Sequence, residues 1–139
     1  MERYDPLREP AAEEWLQMKE LERIALVEDY HRKAGIRLPK SKLHATFHVI
    51  VENQAALGDE TPVRETLARL MKERIDRHEA IHAVASVLAE FISDVPKGSS
   101  PQSDPNTPYY AALERLTVRS WRRDFGVPPA TRRSNRSRR

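Results

Sequence analysis

The chain has no cysteine and only four glycines among its 139 residues. Without cysteine, a disulfide framework and a thiolate metal site are both excluded, so a metal ion would need histidine or carboxylate ligands. No apolar run approaches the roughly 20 residues of a membrane-spanning helix, and the N-terminus lacks the basic and apolar segments of a signal peptide. These absences favour a soluble cytoplasmic protein that does not enter the membrane.

What the chain has in quantity is charge. Charged residues make up 32% of the sequence and hydrophobic residues 39%, which is typical of a helix-rich globular protein with a charged surface. The net charge is only +3, but acidic residues predominate near the N-terminus, and nine arginines lie within residues 115–139. We expect residues 127–139 to form a disordered basic tail, for which weak nonspecific contact with nucleic acid remains open.

Apolar spacing and helix-end signals predict an all-α fold, a compact bundle of four or five helices in one domain over residues 1–126. An irregular loop rich in proline and serine is predicted at 95–107. Asp76 and Glu79 form a capping-box pattern that opens the fourth helix. The predicted helices span residues 10–34, 41–57, a stretch beginning at 62, 76–94 and 107–123.

Four of the five histidines form two pairs, His44 with His48 and His78 with His82. A spacing of four residues places two side chains one turn apart on the same face of a helix. Each pair lies at the margin of an apolar face, so packing of the two helices through these faces would bring the four imidazoles together. We interpret the pairs as a metal site, with Glu52, one turn after His48, as a further ligand.

The ligand types indicate a divalent ion. Four imidazoles, or three with Glu52, suit Zn²⁺, and Fe, Mn, Ni and Co remain open because these ligands discriminate weakly between metals. A closed tetrahedral site would be structural, whereas an open position would allow activation of a water molecule. A purely structural role for the histidines is the alternative. His31 stands apart from both pairs and is not predicted to be a ligand.

Two other functions compete with the metal-binding protein. The first is a metal-free helical interaction module that uses the first helix or the basic tail to bind a protein partner or a second copy. The second is a metal-dependent hydrolase, because His78 to His82 match H-E-x-x-H, in which Glu79 would be the general base. This pattern is short, and no third ligand follows it at a familiar spacing.

Five segments of the chain are distinctive: E-W-L, E-R-I-A-L-V-E-D-Y-H-R, L-H-A-T-F-H-V-I-V-E-N-Q-A-A-L-G-D, R-H-E-A-I-H-A-V-A-S-V-L-A-E and Y-Y-A-A-L-E-R-L. They cover most of residues 13–121, and the paired H-x-x-x-H segments are their most specific part. These segments resemble an uncharacterised bacterial family that is classed as a domain of unknown function. The resemblance implies a compact helical fold and suggests no substrate.

Overall fold

The structure, a computed structural model, describes residues 1–36, 38–94 and 106–126. Within these ranges the chain forms α-helices and one short 3₁₀ helix and contains no strand, so the predicted all-α class is confirmed. The helices are α1 (Ala12–Gln17), α2 (Glu20–Lys33), α3 (Ser41–Ala56), the 3₁₀ helix (Gly58–Glu60), α4 (Val63–Met71), α5 (Arg77–Asp94), α6 (Asn106–Arg115) and α7 (Val118–Phe125).

The first predicted helix is in fact two helices, α1 and α2. Met18 and Lys19 between them are extended, with ψ angles of 152° and 147°. The Arg23 guanidinium donates to the carbonyl oxygens of Leu16 at 2.9 Å and Met18 at 2.7 Å. Glu22 accepts the Lys19 N–H at 3.0 Å. Side chains therefore form hydrogen bonds with the backbone groups that have no helical partner at the break between α1 and α2. The apolar spacing of the sequence does not reveal this break.

The last predicted helix is likewise divided, into α6 and α7. Thr117 is extended and caps α7, because its hydroxyl accepts the Ser120 N–H at 2.9 Å while the Ser120 hydroxyl accepts the Thr117 N–H at 3.0 Å. The Arg69 guanidinium donates to the carbonyl oxygens of Leu113 and Leu116 at the end of α6. The two divisions raise the helix count above the predicted four or five.

Other predicted boundaries agree with the structure. The capping box that opens α5 is present, with the Glu79 N–H donating to Asp76 Oδ1 at 2.8 Å. Of the predicted loop, residues 106 and 107 belong to α6, and residues 95–105 lie outside the described residues. The predicted basic tail, 127–139, also lies outside them. No helix in the described part of the chain is long and apolar enough to cross a membrane.

Helix α3 is the shared element of two apolar clusters. Val51 and Ala55 belong to the larger cluster, which α4, α5, α6 and α7 complete. Ala45 and Val49 belong to the smaller cluster, with residues from α1, α2 and the N-terminal segment. Helix α2 packs along α3, and α3 packs along α5. The inward edges of these three helices are consequently close to one another.

Candidate metal centre

Five imidazoles meet where α2, α3 and α5 pack together. One ring nitrogen of each lies within 4.8 Å of the corresponding nitrogen of every other imidazole. His31 and His48 are buried, and the other members are half-buried. We call this group the histidine cluster. It consists of His31 from α2, His44 and His48 from α3, and His78 and His82 from α5.

The structure brings the four predicted histidines together. Within each pair the ring centroids are 4.8 Å apart for His44 and His48 and 4.4 Å apart for His78 and His82. The two pairs meet across the interface of α3 and α5, where the Nε2 atoms of His48 and His82 lie 3.1 Å apart.

His31 is the member that sequence reasoning missed. Its ring centroid lies 4.8 Å from that of His44 and 4.9 Å from that of His48. A signal was present, because Ile24, Val27 and His31 recur at helical spacing on the buried face of α2. This signal identifies His31 as a member of the cluster only when the buried face of α2 is known to pack against α3.

The tautomer of His31 follows from its partner. Its Nδ1 lies 2.8 Å from the carbonyl oxygen of Val27. A carbonyl oxygen can only accept, so His31 donates from Nδ1, and its Nε2 carries the lone pair. That Nε2 is buried and has no hydrogen-bond partner among the described residues. This is the usual arrangement of a metal-binding histidine, with one nitrogen anchored and the other free.

His48 is arranged in the same way through a side chain. Its Nδ1 lies 3.2 Å from the Tyr4 hydroxyl oxygen, and the Tyr4 hydroxyl donates to Glu52 Oε2 at 2.5 Å. Since the single hydroxyl proton goes to the carboxylate, the hydroxyl oxygen accepts from His48 Nδ1. The His48 Nε2 atom therefore carries the lone pair that faces His82.

Glu52, predicted as a ligand, is not a member of the histidine cluster. Its carboxylate accepts two hydrogen bonds from Arg77, both of 2.8 Å, in addition to the bond from Tyr4. Glu52 and Arg77 are 1% and 6% exposed, so this is a buried ion pair. The carboxylate reaches the cluster through Tyr4.

The cluster is chemically suited to a cation. The Nε2 atoms of His44 and His78, like that of His31, are buried without a hydrogen-bond partner among the described residues. Buried polar atoms without partners are rare, and a bound ion or water is the usual explanation. Five nitrogens within 4.8 Å can surround one ion after small shifts, because opposite ligands at about 2.1 Å from a metal are about 4.2 Å apart.

Burial lowers the pKa of four of the five imidazoles and keeps those four neutral. Desolvation, followed by the charge of neighbouring histidines, lowers the pKa of His82 to about 3. The same causes lower the pKa of His44 to about 4 and that of His48 far below its ordinary value. Desolvation and His31 also lower the pKa of His78 to about 4. Neutral imidazole is the form that binds metal, so no proton has to leave these four groups at neutral pH.

Two surface cavities border the cluster. A surface cavity of about 430 Å³ is bordered by His31, and another of about 350 Å³ is bordered by His44. Leu38 lines both cavities, and Leu43 and Phe47 make the second largely apolar. Both cavities therefore adjoin the cluster, although the Nε2 atoms of His31 and His44 are themselves buried.

Glu79 has a structural partner. Its Oε1 lies 3.4 Å from the Asp76 backbone nitrogen, within the capping box that begins α5. A general base in a zinc peptidase must instead face the metal-bound water. The hydrolase function suggested by the H-E-x-x-H pattern stays a prediction.

Fold and site together define an all-α protein with a buried histidine cluster shared by three helices. The family model described as Domain of unknown function (DUF1841) matches residues 10–115, and the chain belongs to this family. The matched range includes the whole histidine cluster and Glu52 and leaves out Tyr4. No curated protein and no solved structure matches the chain.

Proposed function

We propose that this protein binds one divalent transition-metal ion in the histidine cluster. The observation that carries the proposal is the gathering of five ring nitrogens from three helices within 4.8 Å of one another. The three buried Nε2 atoms without partners support it, because a metal ion would satisfy them together. The proposed ligands are the four predicted histidines together with His31.

The donor set favours borderline ions. Imidazole nitrogen is a good ligand for Zn²⁺, and Fe, Co and Ni also accept it, whereas Mn is better suited to oxygen ligands. We propose Zn²⁺ as the first ion to test. Glu52 is proposed to act beside the site, because Arg77 and Tyr4 already occupy its carboxylate.

A bound ion would join α2, α3 and α5. Metal binding to a folded site adds its binding free energy to the free energy of unfolding, since the unfolded chain cannot hold the same ligand geometry. A tetrahedral ion would use four of the imidazoles and serve as a structural link. A five-coordinate ion would use all five imidazoles and leave no position free, whereas an octahedral ion would use all five and keep a sixth position for a small ligand from the adjoining cavities.

The decisive experiment is elemental analysis of untagged protein purified without added metal, together with His31→Ala, His48→Ala and His82→Ala. We expect about one ion per chain in the wild-type protein and a clear loss in each variant. Leu70→Ala is the control, because Leu70 is fully buried in α4 and is not a member of the cluster. It should lower stability and retain the metal.

Two results would contradict the proposal. One is wild-type protein that contains no metal and takes up none when Zn²⁺ or anaerobic Fe²⁺ is supplied. The other is metal that stays bound in all three histidine variants, with circular dichroism showing that each is folded. The first result would favour the metal-free interaction module, and the second would mean that the metal binds outside the histidine cluster.

A further inference from the structure

A chain of buried hydrogen bonds connects the N-terminal segment to the histidine cluster. Tyr4 is 4% exposed and lies between His48 and Glu52. Its ring contacts Trp15 at a centroid distance of 5.7 Å and His48 at 6.0 Å. Tyr4 precedes α1, so its position depends on how the N-terminal segment packs on the rest of the protein.

The interactions of Glu52 determine which group donates in each of these hydrogen bonds. Arg77 donates to both oxygens of Glu52, and the Tyr4 hydroxyl donates to its Oε2 atom, so both oxygens of the Glu52 side chain act as acceptors. The hydroxyl proton of Tyr4 is therefore directed to Glu52 rather than to His48. Only the oxygen of the hydroxyl remains for His48, and it can only accept.

Arg77 also holds the segment that carries Tyr4. Its Nη1 donates to the carbonyl oxygens of Pro6 at 3.1 Å and Arg8 at 3.3 Å. One buried guanidinium thus positions both the carboxylate and the backbone on either side of the tyrosine. Because Arg77 precedes His78 on α5, this arrangement is built into the helix that supplies two of the imidazoles.

We infer that Tyr4 is a positioning residue for the metal centre. Its hydroxyl oxygen accepts the Nδ1 proton of His48, which fixes the tautomer and turns the Nε2 lone pair towards the other imidazoles. The consequence for metal affinity rests on the proposed function, whereas the tautomer of His48 can be tested without a metal. Groups that hold the far nitrogen of a metal-binding histidine typically contribute about 10-fold to 100-fold in affinity.

Tyr4→Phe is the variant that tests this role. Phenylalanine keeps the ring that packs on Trp15 and removes only the hydroxyl, so we expect the variant to fold. The matched control is Tyr30→Phe, since the ring of Tyr30 also contacts the cluster, at 5.2 Å from His31 and 5.7 Å from His78. Among the described residues the Tyr30 hydroxyl makes no hydrogen bond to a histidine of the cluster.

Two readouts are needed, both at pH 7.5. Long-range ¹H–¹⁵N NMR of metal-free protein reports which ring nitrogen carries the proton. We expect His48 to be protonated at Nδ1 in the wild-type protein and in Tyr30→Phe, and to shift towards Nε2 protonation in Tyr4→Phe. Competition with a chromophoric chelator then measures the Kd for Zn²⁺, which should rise about 10-fold or more in Tyr4→Phe only.

The possible outcomes separate the two proposals. His48 protonated at Nε2 in the wild-type protein overturns the inference without any variant. A Tyr4→Phe protein with a lower melting temperature and an unchanged Kd also overturns it, because the hydroxyl would then serve stability alone. If the tautomer shifts as expected but the wild-type protein binds no metal, the positioning of His48 by Tyr4 is supported and the proposed function fails.

Discussion

At the scale of single residues, the hydrogen-bond partner of each ring nitrogen distinguishes a candidate metal ligand from an ordinary buried histidine. A candidate ligand has one nitrogen held by a partner and the other nitrogen free. In His31 the Nδ1 atom is anchored on the Val27 carbonyl oxygen, and in His48 it is anchored on the Tyr4 hydroxyl. Both anchors leave Nε2 as the nitrogen with the lone pair. Two rings on different helices are therefore held in the same tautomer by different groups, as the proposed metal centre requires.

His31 provides the first prediction. If His31 is a ligand, His31→Gln should weaken Zn²⁺ binding by about tenfold or more, which corresponds to about 1.4 kcal/mol. The Kd from chelator competition checks this directly. An unchanged Kd would mean that the ligands are the two histidine pairs of α3 and α5 and that His31 serves only in packing.

The buried ion pair provides the second prediction. Arg77→Met leaves the Glu52 charge buried without its partner, which should lower the free energy of unfolding by about 3–5 kcal/mol. The double variant Arg77→Met with Glu52→Met should lose less than Arg77→Met alone, since no unpaired charge remains. Urea denaturation of metal-free protein measures both.

An exposed ion pair serves as the control. The side chains of Arg64 and Glu9 are 58% and 45% exposed, and Arg64 Nε lies 2.9 Å from Glu9 Oε1. Arg64→Met should cost at most about 1 kcal/mol, because solvent screens an exposed pair. Equal losses of unfolding free energy in Arg64→Met and Arg77→Met would show that burial does not increase the contribution of the Arg77–Glu52 ion pair to stability.

At the scale of helices, the errors in the predicted elements have one cause. The divisions between α1 and α2 and between α6 and α7 leave the apolar pattern almost unbroken. Arginine side chains bind the freed carbonyl oxygens, Arg23 at the first division and Arg69 at the second. The T-x-x-S pattern of Thr117 and Ser120 was a readable signal for the second division and would have predicted it.

This capping box gives the third prediction. Thr117→Ala removes the side-chain acceptor for the Ser120 N–H, which should lower the free energy of unfolding by about 1 kcal/mol. Thr46→Ala is the control, because the Thr46 hydroxyl donates to the Lys42 carbonyl oxygen within α3 and caps no helix. It should change stability by less than about 0.5 kcal/mol. Similar losses for both threonines would argue against a special role for the cap.

At the scale of the whole molecule, the histidine cluster makes the free energy of unfolding depend on pH. Burial holds the pKa of His44 and His78 at about 4 and that of His82 at about 3. An unfolded chain would bind protons to these groups near pH 6.5. Below that pH the unfolded state takes up protons that the folded state does not, so acid favours unfolding.

The fourth prediction follows from this sign. Metal-free protein should be most stable above about pH 6.5 and lose stability as the pH falls towards 4. The slope is about 1.4 kcal/mol per pH unit for each additional proton that the unfolded chain binds. Urea midpoints measured between pH 7.5 and 4.5 test it. A midpoint that does not change below pH 6.5 would mean that the imidazoles titrate normally in the folded protein.

The fifth prediction concerns the metal itself. Zn²⁺ at 100 times its Kd should raise the free energy of unfolding by about 2.7 kcal/mol, and chelation should reverse the gain. Thermal melts with and without Zn²⁺ at pH 7.5 check this, and equal melting temperatures with and without Zn²⁺ would contradict it.

What the sequence determined by itself was the all-α class, the two stacked histidine pairs and the capping box at Asp76, because these depend on residues within about four positions of each other. Tertiary structure alone decided the rest of the site. The place of His31 depends on the packing of α2 against α3. The partners of Glu52 come from Arg77, 25 positions away, and from Tyr4, 48 positions away. Contacts across such separations depend on how helices pack, which local spacing does not specify.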